Sequence, residues 1–253
     1  MALMSNKLIL FALACAATAA AQECSNATLR GAFAYAIDAL VTVDGKTSTN
    51  SDVGRIVFDG NGKFTGKAAF TVNNATTVSD FAGEYLLGSD CTMTGKSVPA
   101  AVEFDGVVAN GGSDFMLIVR EPGITRSGAG SRIESQTVCN TAALNGGYSY
   151  QGDGSVTAEG RVFSISEIGI LNFNGSGALK GVYSASLSGL VERRDFSGRY
   201  EIGGDCTANA TFKIGDDDYV MNFVVANLGN SLLFSTTGGG ITITGGAARQ
   251  FPR

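Results

Sequence analysis

The sequence DFAGEY at residues 80–85 returns as DFSGRY at residues 195–200, and in both places Asp-Cys-Thr follows, at 90–92 and 205–207. The two copies are 115 residues apart. Aligned at this spacing, residues 24–92 and 139–207 share 23 identities in 69 positions without a gap. Beyond residue 92 the spacing becomes 117 residues. A period this long indicates two tandem domains, because solenoid repeats are only about 20–50 residues long.

Three segments follow from this repeat and from the first residues of the chain. Lys7, an apolar run at 8–14 and small residues up to Ala21 are typical of a secretory signal peptide. We therefore predict a signal peptide over 1–21, a first domain over 22–135 and a second over 136–253. We therefore expect a secreted, extracellular protein. No other segment of the sequence has the length of a transmembrane helix. The alternative is a lipoprotein box that ends at Cys15, in which a lipid attached to Cys15 anchors the chain.

Short β segments between turn residues predict an all-β fold. Phe33, Tyr35 and Ile37 alternate with small residues, as expected for a strand with one face toward a core. In the first copy the predicted strands are 32–43, 53–58, 63–72, 76–87, 91–98, 101–109, 114–120 and 124–133. Hairpin connections between them favour two tandem antiparallel meander β-barrels, since closure removes exposed edges. Two-sheet β-sandwiches are the alternative.

Cysteine positions follow the repeat. Four Cys remain after the predicted cleavage, an even number in an oxidising compartment. Because Cys24 matches Cys139 and Cys91 matches Cys206, we predict the disulfides Cys24–Cys91 and Cys139–Cys206. A zinc site is the other reading of four Cys, but the C-x2-C spacing it needs is absent. The predicted role of the Cys residues is therefore structural.

Composition restricts the chemistry. The chain has no His, which excludes Ser-His-Asp and Cys-His catalysis and imidazole metal ligands. A formal net charge of -5 with 18 scattered Lys and Arg argues against nucleic acid as a partner. Asp90 and Asp205 repeat, but a turn aspartate that caps backbone N–H groups explains them. We predict no enzymatic activity, no metal and no cofactor.

Aromatic side chains mark the one candidate binding surface. Each first strand carries two inward aromatic residues, namely Phe33 and Tyr35 in the first copy and Tyr148 and Tyr150 in the second. The interior of a small barrel is either filled by side chains or left as a ligand cavity. These four residues are the predicted lining if a cavity exists, and the packed core if it does not.

The copies resemble a recurrent repeat of secreted, mostly bacterial β-rich proteins of unassigned function. The most specific shared feature is Phe-x-Gly-x-Tyr leading to Asp-Cys-Thr, over 81–92 and 196–207. The copies are also distantly similar to lipocalin-like (calycin) barrels through Gly31-Ala32-Phe33 and Gly146-Gly147-Tyr148. The lipocalin signature has Trp at that aromatic position, and this chain has no Trp. The resemblance implies barrels and supplies no catalytic residue.

These observations predict a secreted, non-enzymatic protein of two disulfide-linked barrels that binds a small apolar ligand or a surface partner. A structural or cell-surface interaction protein with solid barrels is the alternative, in which two domains provide bivalency. A carboxylate-based enzyme would require two acids that converge in one cleft.

Overall fold

The structure is a computed structural model that describes residues 23–43, 46–98 and 101–251. The predicted signal peptide and Cys15 lie outside the described residues. Within these described residues, sixteen strands form two closed eight-stranded antiparallel barrels, each a meander in chain order. The predicted all-β class and the tandem barrels are therefore confirmed, and the sandwich alternative is wrong. No helix in the described part of the chain is long and apolar enough to span a membrane.

Strand bounds in the first barrel are β1 (Arg30–Val43), β2 (Lys46–Asp59), β3 (Lys63–Val72), β4 (Ala75–Leu87), β5 (Thr92–Val98), β6 (Glu103–Ala109), β7 (Asp114–Arg120) and β8 (Ile124–Ile133). Those in the second barrel are β9 (Asn145–Ala158), β10 (Arg161–Asn174), β11 (Ala178–Leu187), β12 (Leu190–Ile202), β13 (Thr207–Ile214), β14 (Asp217–Ala226), β15 (Ser231–Gly238) and β16 (Ile241–Arg249). Each barrel closes when its first strand pairs with its last, β1 with β8 and β9 with β16.

One predicted strand was too short. The sequence pattern marked 53–58, whereas β2 begins at Lys46. Its first half is polar, yet Thr49 and Ser51 are buried. Their hydroxyls contact the second barrel, where Ser51 Oγ lies 2.6 Å from Ser235 Oγ and Thr49 donates to Thr242 over 3.4 Å. Burial here comes from the other barrel, so the alternation of apolar residues does not reveal it.

The outer face of β1 and β2 joins the two barrels. Ala34, Ala36 and Val53 point away from the interior of the first barrel and belong to the hydrophobic cluster of the second. Val224 on β14 is buried in the same cluster. Strands β1 and β2 are thus covered on both faces over part of their length, which explains the small residues that alternate with the large ones in β1.

One end of each barrel is closed and filled with side chains. In the first barrel the ring of Phe58 packs edge-on against those of Phe33, Phe64, Tyr85 and Phe115. In the second the ring of Phe173 packs against those of Tyr148, Tyr200 and Phe223. Such aromatic pairs stabilise the fold by about 0.5–1.5 kcal/mol beyond their area burial. We call this packed end the floor of the barrel.

A 3₁₀ turn before each first strand covers the floor. In the first barrel it spans Asn26–Thr28, and in the second Thr141–Ala143. The Tyr85 hydroxyl lies 2.9 Å from the carbonyl oxygens of Asn26 and Leu29. Tyr200 repeats this in the second barrel, at 3.0 Å from the oxygen of Thr141 and 2.9 Å from that of Leu144.

The disulfides fix the same end. Both predicted bridges are present, Cys24–Cys91 and Cys139–Cys206. Each connects the segment before the 3₁₀ turn to the residue that precedes the fifth strand of its barrel. Closure of a loop with a sequence separation of 67 residues stabilises a chain by about 4 kcal/mol in chain-entropy models.

Candidate ligand cavities in the two barrels

An arginine on the last strand completes each floor. Arg132 lies 4.6 Å from the centre of the Phe33 ring, and Arg249 lies 4.8 Å from that of Tyr148. Arg249 also donates to the carbonyl oxygens of Ala143 and Gly229 at 3.1 Å, and Arg132 donates to that of Thr28. The guanidinium groups thereby satisfy backbone acceptors of the covering turns and hold the rings by cation–π attraction.

The opposite end of each barrel is hollow. The first cavity, in the barrel of β1–β8, has a volume of about 560 Å³, and the second, in the barrel of β9–β16, about 450 Å³. Both volumes fall within the range of ligand sites, roughly 300–1,000 Å³. Leu190 and Val191, the first two residues of β12, stand at the mouth of the second cavity with 78% and 73% exposure.

The four predicted lining residues divide between floor and cavity. Tyr35 lines the first cavity and Tyr150 the second. Phe33 and Tyr148 are fully buried and belong to the floor instead. Each ring lies against the arginine of its floor, Arg132 or Arg249. Both residues are nearer the start of β1 or β9 than the tyrosine that lines the cavity. The inward face of each first strand thus runs from a packed core into a cavity.

Each cavity also holds an acid that the sequence analysis missed. Asp52 on β2 lines the first cavity, and Glu167 on β10 lines the second. The 115-residue shift places Asp52 on Glu167, so the repeat contained the signal. It was missed because the first half of β2 was not predicted as a strand, and its inward positions were therefore unassigned.

In the first cavity the acid is paired. Arg126 on β8 approaches Asp52 to 3.1 Å between Nη2 and Oδ2, and both side chains are largely buried. Burial raises the pKa of Asp52 to about 6, and the Arg126 charge works against that rise. Burial, reinforced by the Asp52 charge, also raises the pKa of Tyr35. The amide oxygen of Asn50, which lines this cavity too, has no hydrogen-bond partner among the described residues.

In the second cavity the acid has a tyrosine partner. Burial raises the pKa of Glu167 to about 7, and a hydrogen bond with the Tyr150 side chain works against that rise. Burial also raises the pKa of Tyr183, to about 12. The position that matches Arg126 is Ile243, and the one that matches Asn50 is Ile165. The wall of the second cavity is therefore more apolar than that of the first.

The two recurrent aspartates do not belong to the cavities. The carboxylate of Asp90 accepts from the backbone N–H of Thr92 at 3.0 Å and from its hydroxyl at 2.7 Å. Asp205 does the same for Thr207, at 3.1 and 2.6 Å. Both acids cap the entry to the fifth strand, which confirms the structural role predicted for them.

The geometry defines a class of protein: a closed eight-stranded antiparallel meander with one end sealed by a 3₁₀ turn and the other open to a cavity. Eight strands give a barrel wide enough to hold one small ligand. The chain contains two such barrels in tandem.

No protein-family model matches the chain, and no curated protein matches its sequence. Solved structures overlap it weakly. One is the isotype 1 transferrin-binding protein B from serogroup B Neisseria meningitidis, 8% identical, with a TM-score of 0.31 over 88% of this chain and 77% of that one. Another is a double mutant of transferrin-binding protein B from Haemophilus parasuis, 15% identical, with a TM-score of 0.38 over 83% and 55%.

A protein of unknown function from the DUF3598 family of Nostoc punctiforme is 9% identical, with a TM-score of 0.28 over 88% of this chain and 96% of that one. All three TM-scores lie below 0.5. The fold assignment therefore rests on the two closed barrels themselves.

Proposed function

We propose that the protein is a secreted, non-enzymatic carrier that binds small apolar ligands in the open ends of its two barrels. The observation that carries this proposal is the pair of cavities, about 560 and 450 Å³. Each lies above an aromatic floor and is walled mainly by apolar side chains. Burial of apolar ligand surface in such a cavity contributes about 25 cal/mol per Å² before the costs of binding.

A role without catalysis is supported by the placement of the acids. Glu167 is half-buried in the wall of the second cavity, whereas Glu192 stands at the rim, paired with Arg194 at 2.6 Å. In the first cavity Asp52 is paired with Arg126, and the other acids of the lining, Asp80 and Glu121, are exposed to solvent. A glycosidase-type mechanism needs two carboxyl groups that face one bond across a cleft, and these pairings favour structural or binding roles for the acids.

Secretion is supported by the two disulfides, because such bridges form and persist in oxidising compartments. The predicted signal peptide agrees with this location.

Titration calorimetry with 1-octanol, a neutral apolar probe, tests the proposal. We expect two molecules bound per chain. Ala185→Trp fills the second cavity, since Ala185 lines it and is buried, and should leave one molecule bound. Ser186→Trp places the same side chain on the exposed outer face of β11 and should leave both. Absence of binding to the unmodified protein, or equal stoichiometry in the two variants, would refute the proposal.

A further inference from the structure

Glu167 lines the second cavity without a cationic partner among the described residues of that lining. None of the described residues that line the second cavity is Lys or Arg. The matched acid Asp52 has Arg126 at 3.1 Å, and the residue that matches Arg126 is the buried Ile243. The second copy therefore has the acid without the cation. A carboxylate that is partly removed from water and has no counter-ion is costly unless a ligand supplies the positive charge.

Tyrosine rings surround the acid. Tyr150, Tyr183 and Tyr219 all line the second cavity, from β9, β11 and β14. The faces of aromatic rings carry negative charge density and attract ammonium groups, by about 0.5–2 kcal/mol according to their exposure. Tyr219 stacks on Phe212 with 5.7 Å between ring centres, which fixes the orientation of its ring.

Charges at the mouth of the cavity balance each other. Glu192 and Arg194 on β12 form an ion pair at 2.6 Å and are exposed by 62% and 47%. Burial raises the pKa of Tyr183 and of Tyr219, and the Arg194 charge works against that rise. Since this cation is already paired in solvent, Glu167 is the one unbalanced charge among the described residues that line the cavity.

We propose that the second cavity selects a small apolar ligand that carries a protonated amine, with Glu167 as its counter-ion and the three tyrosine rings around the ammonium group. This inference rests on the proposed function, that the cavities bind small ligands at all. The first cavity differs, because Arg126 pairs with Asp52 and would repel a second cation beside it. The other acids of its lining, Asp80 and Glu121, are exposed to solvent. The two cavities thus differ in the charge that they present to a ligand.

The test compares three probes with the same chain length and different head groups: n-octylamine, 1-octanol and octanoate. Leu117→Trp fills the first cavity, which Leu117 lines, so that calorimetry of the full chain reports the second cavity alone. If that variant does not give a β-sheet circular dichroism spectrum, Val119→Trp near the mouth replaces it. We expect octylamine to bind at least about tenfold more tightly than octanol, as for a hydrogen bond to a charged group, and octanoate to bind most weakly.

Glu167→Gln should remove the preference for the amine and leave octanol binding intact. Ile243→Arg places an arginine beside Glu167, as Arg126 lies beside Asp52 in the first cavity, and should also remove the preference for the amine. Asp195→Asn removes an acid from the exposed outer face of β12 and should change nothing. The preference should also weaken as the pH falls through about 7, where Glu167 becomes protonated. The tyrosines around it stay neutral there, since the pKa of Tyr183 is raised to about 12.

Two failures are distinguishable. Equal affinity for octylamine and octanol, or a preference that survives Glu167→Gln, would overturn the inference and leave the proposed function standing. Failure of all three probes to bind would overturn both.

Discussion

Glu167 and Asp52 occupy matched positions on the inward faces of β10 and β2, and burial raises the pKa of both, yet only Asp52 is paired with an arginine. The Asp52 carboxylate forms an ion pair with the buried guanidinium group of Arg126 and so balances its charge. Glu167 has a tyrosine as its hydrogen-bond partner. Its carboxylate is therefore stabilised less by its surroundings than by water, and the folded protein prefers it protonated.

The free energy of unfolding should respond to Glu167 in a pH-dependent way. Its pKa rises from 4.5 to about 7 on folding, so the stability that the protonated acid provides is complete below about 4.5 and lost as the pH rises through 7. We expect Glu167→Gln to raise the free energy of unfolding at pH 8 by up to about 3 kcal/mol, with no gain at pH 4. Urea denaturation at both pH values measures this.

The matched variant has the opposite sign. Asp52→Asn leaves Arg126 charged and buried, and loss of one partner of a buried pair costs about 3–5 kcal/mol. Asp195→Asn on the surface serves as the control for both variants. A gain for Glu167→Gln that is equal at pH 4 and pH 8 would contradict the assignment of its pKa.

At the scale of the strands, glycines beneath aromatic rings shape the barrel wall. Gly181 on β11 pairs directly with Phe196 on β12, and the Phe196 ring covers the glycine. A Cβ atom at Gly181 would lie 2.1 Å from the Cζ atom of that ring. Gly66 and Phe81 repeat this arrangement in the first barrel, at 2.2 Å. Part of the high glycine content thus provides space for rings inside the barrels.

Gly181→Ala should therefore destabilise the protein. The added methyl group forces the Phe196 ring aside, and overpacking of this kind costs about 1–3 kcal/mol. Gly204→Ala is the matched control, since a Cβ atom there meets nothing within 4 Å. Thermal denaturation of both variants measures the difference. Equal melting temperatures would show that the ring moves without cost.

The strands could largely be predicted from the sequence, because turn dipeptides and alternation are local signals. The start of β2 could not, since Thr49 and Ser51 are buried by residues 193 and 184 positions away. The same limit applies to the cavities. Tyr35 and Tyr150 follow from alternation along one strand, but the pairing of Asp52 with Arg126 depends on the registers in which β2 and β8 pair with the two edges of β1.

At the scale of the molecule, the two barrels share one hydrophobic cluster. Ala34, Ala36 and Val53 of the first barrel pack into the core cluster of the second. The hydroxyls of Ser51 and Ser235 meet at 2.6 Å within the interface. Because cluster and interface are continuous, the unfolding of one barrel exposes the buried outer face of the other.

We therefore expect a single cooperative transition for the whole chain in differential scanning calorimetry. Ser235→Arg places a charged side chain in the buried interface and should split the transition into two, one for each barrel. Ser186→Arg, on the exposed outer face of β11, should leave one transition. Two resolved transitions in the unmodified protein would show that the barrels unfold independently.

The floors of the two barrels are nearly superimposable in chemistry, with matched disulfides, tyrosines and arginines, whereas the walls above them differ. A duplicated ancestor explains this division. The walls differ at several positions, among them Asn50, Asp52 and Arg126, which correspond to Ile165, Glu167 and Ile243. Substitutions of this kind change a cavity without touching the matched groups of its floor, so new specificities can evolve in one barrel while the other keeps its own.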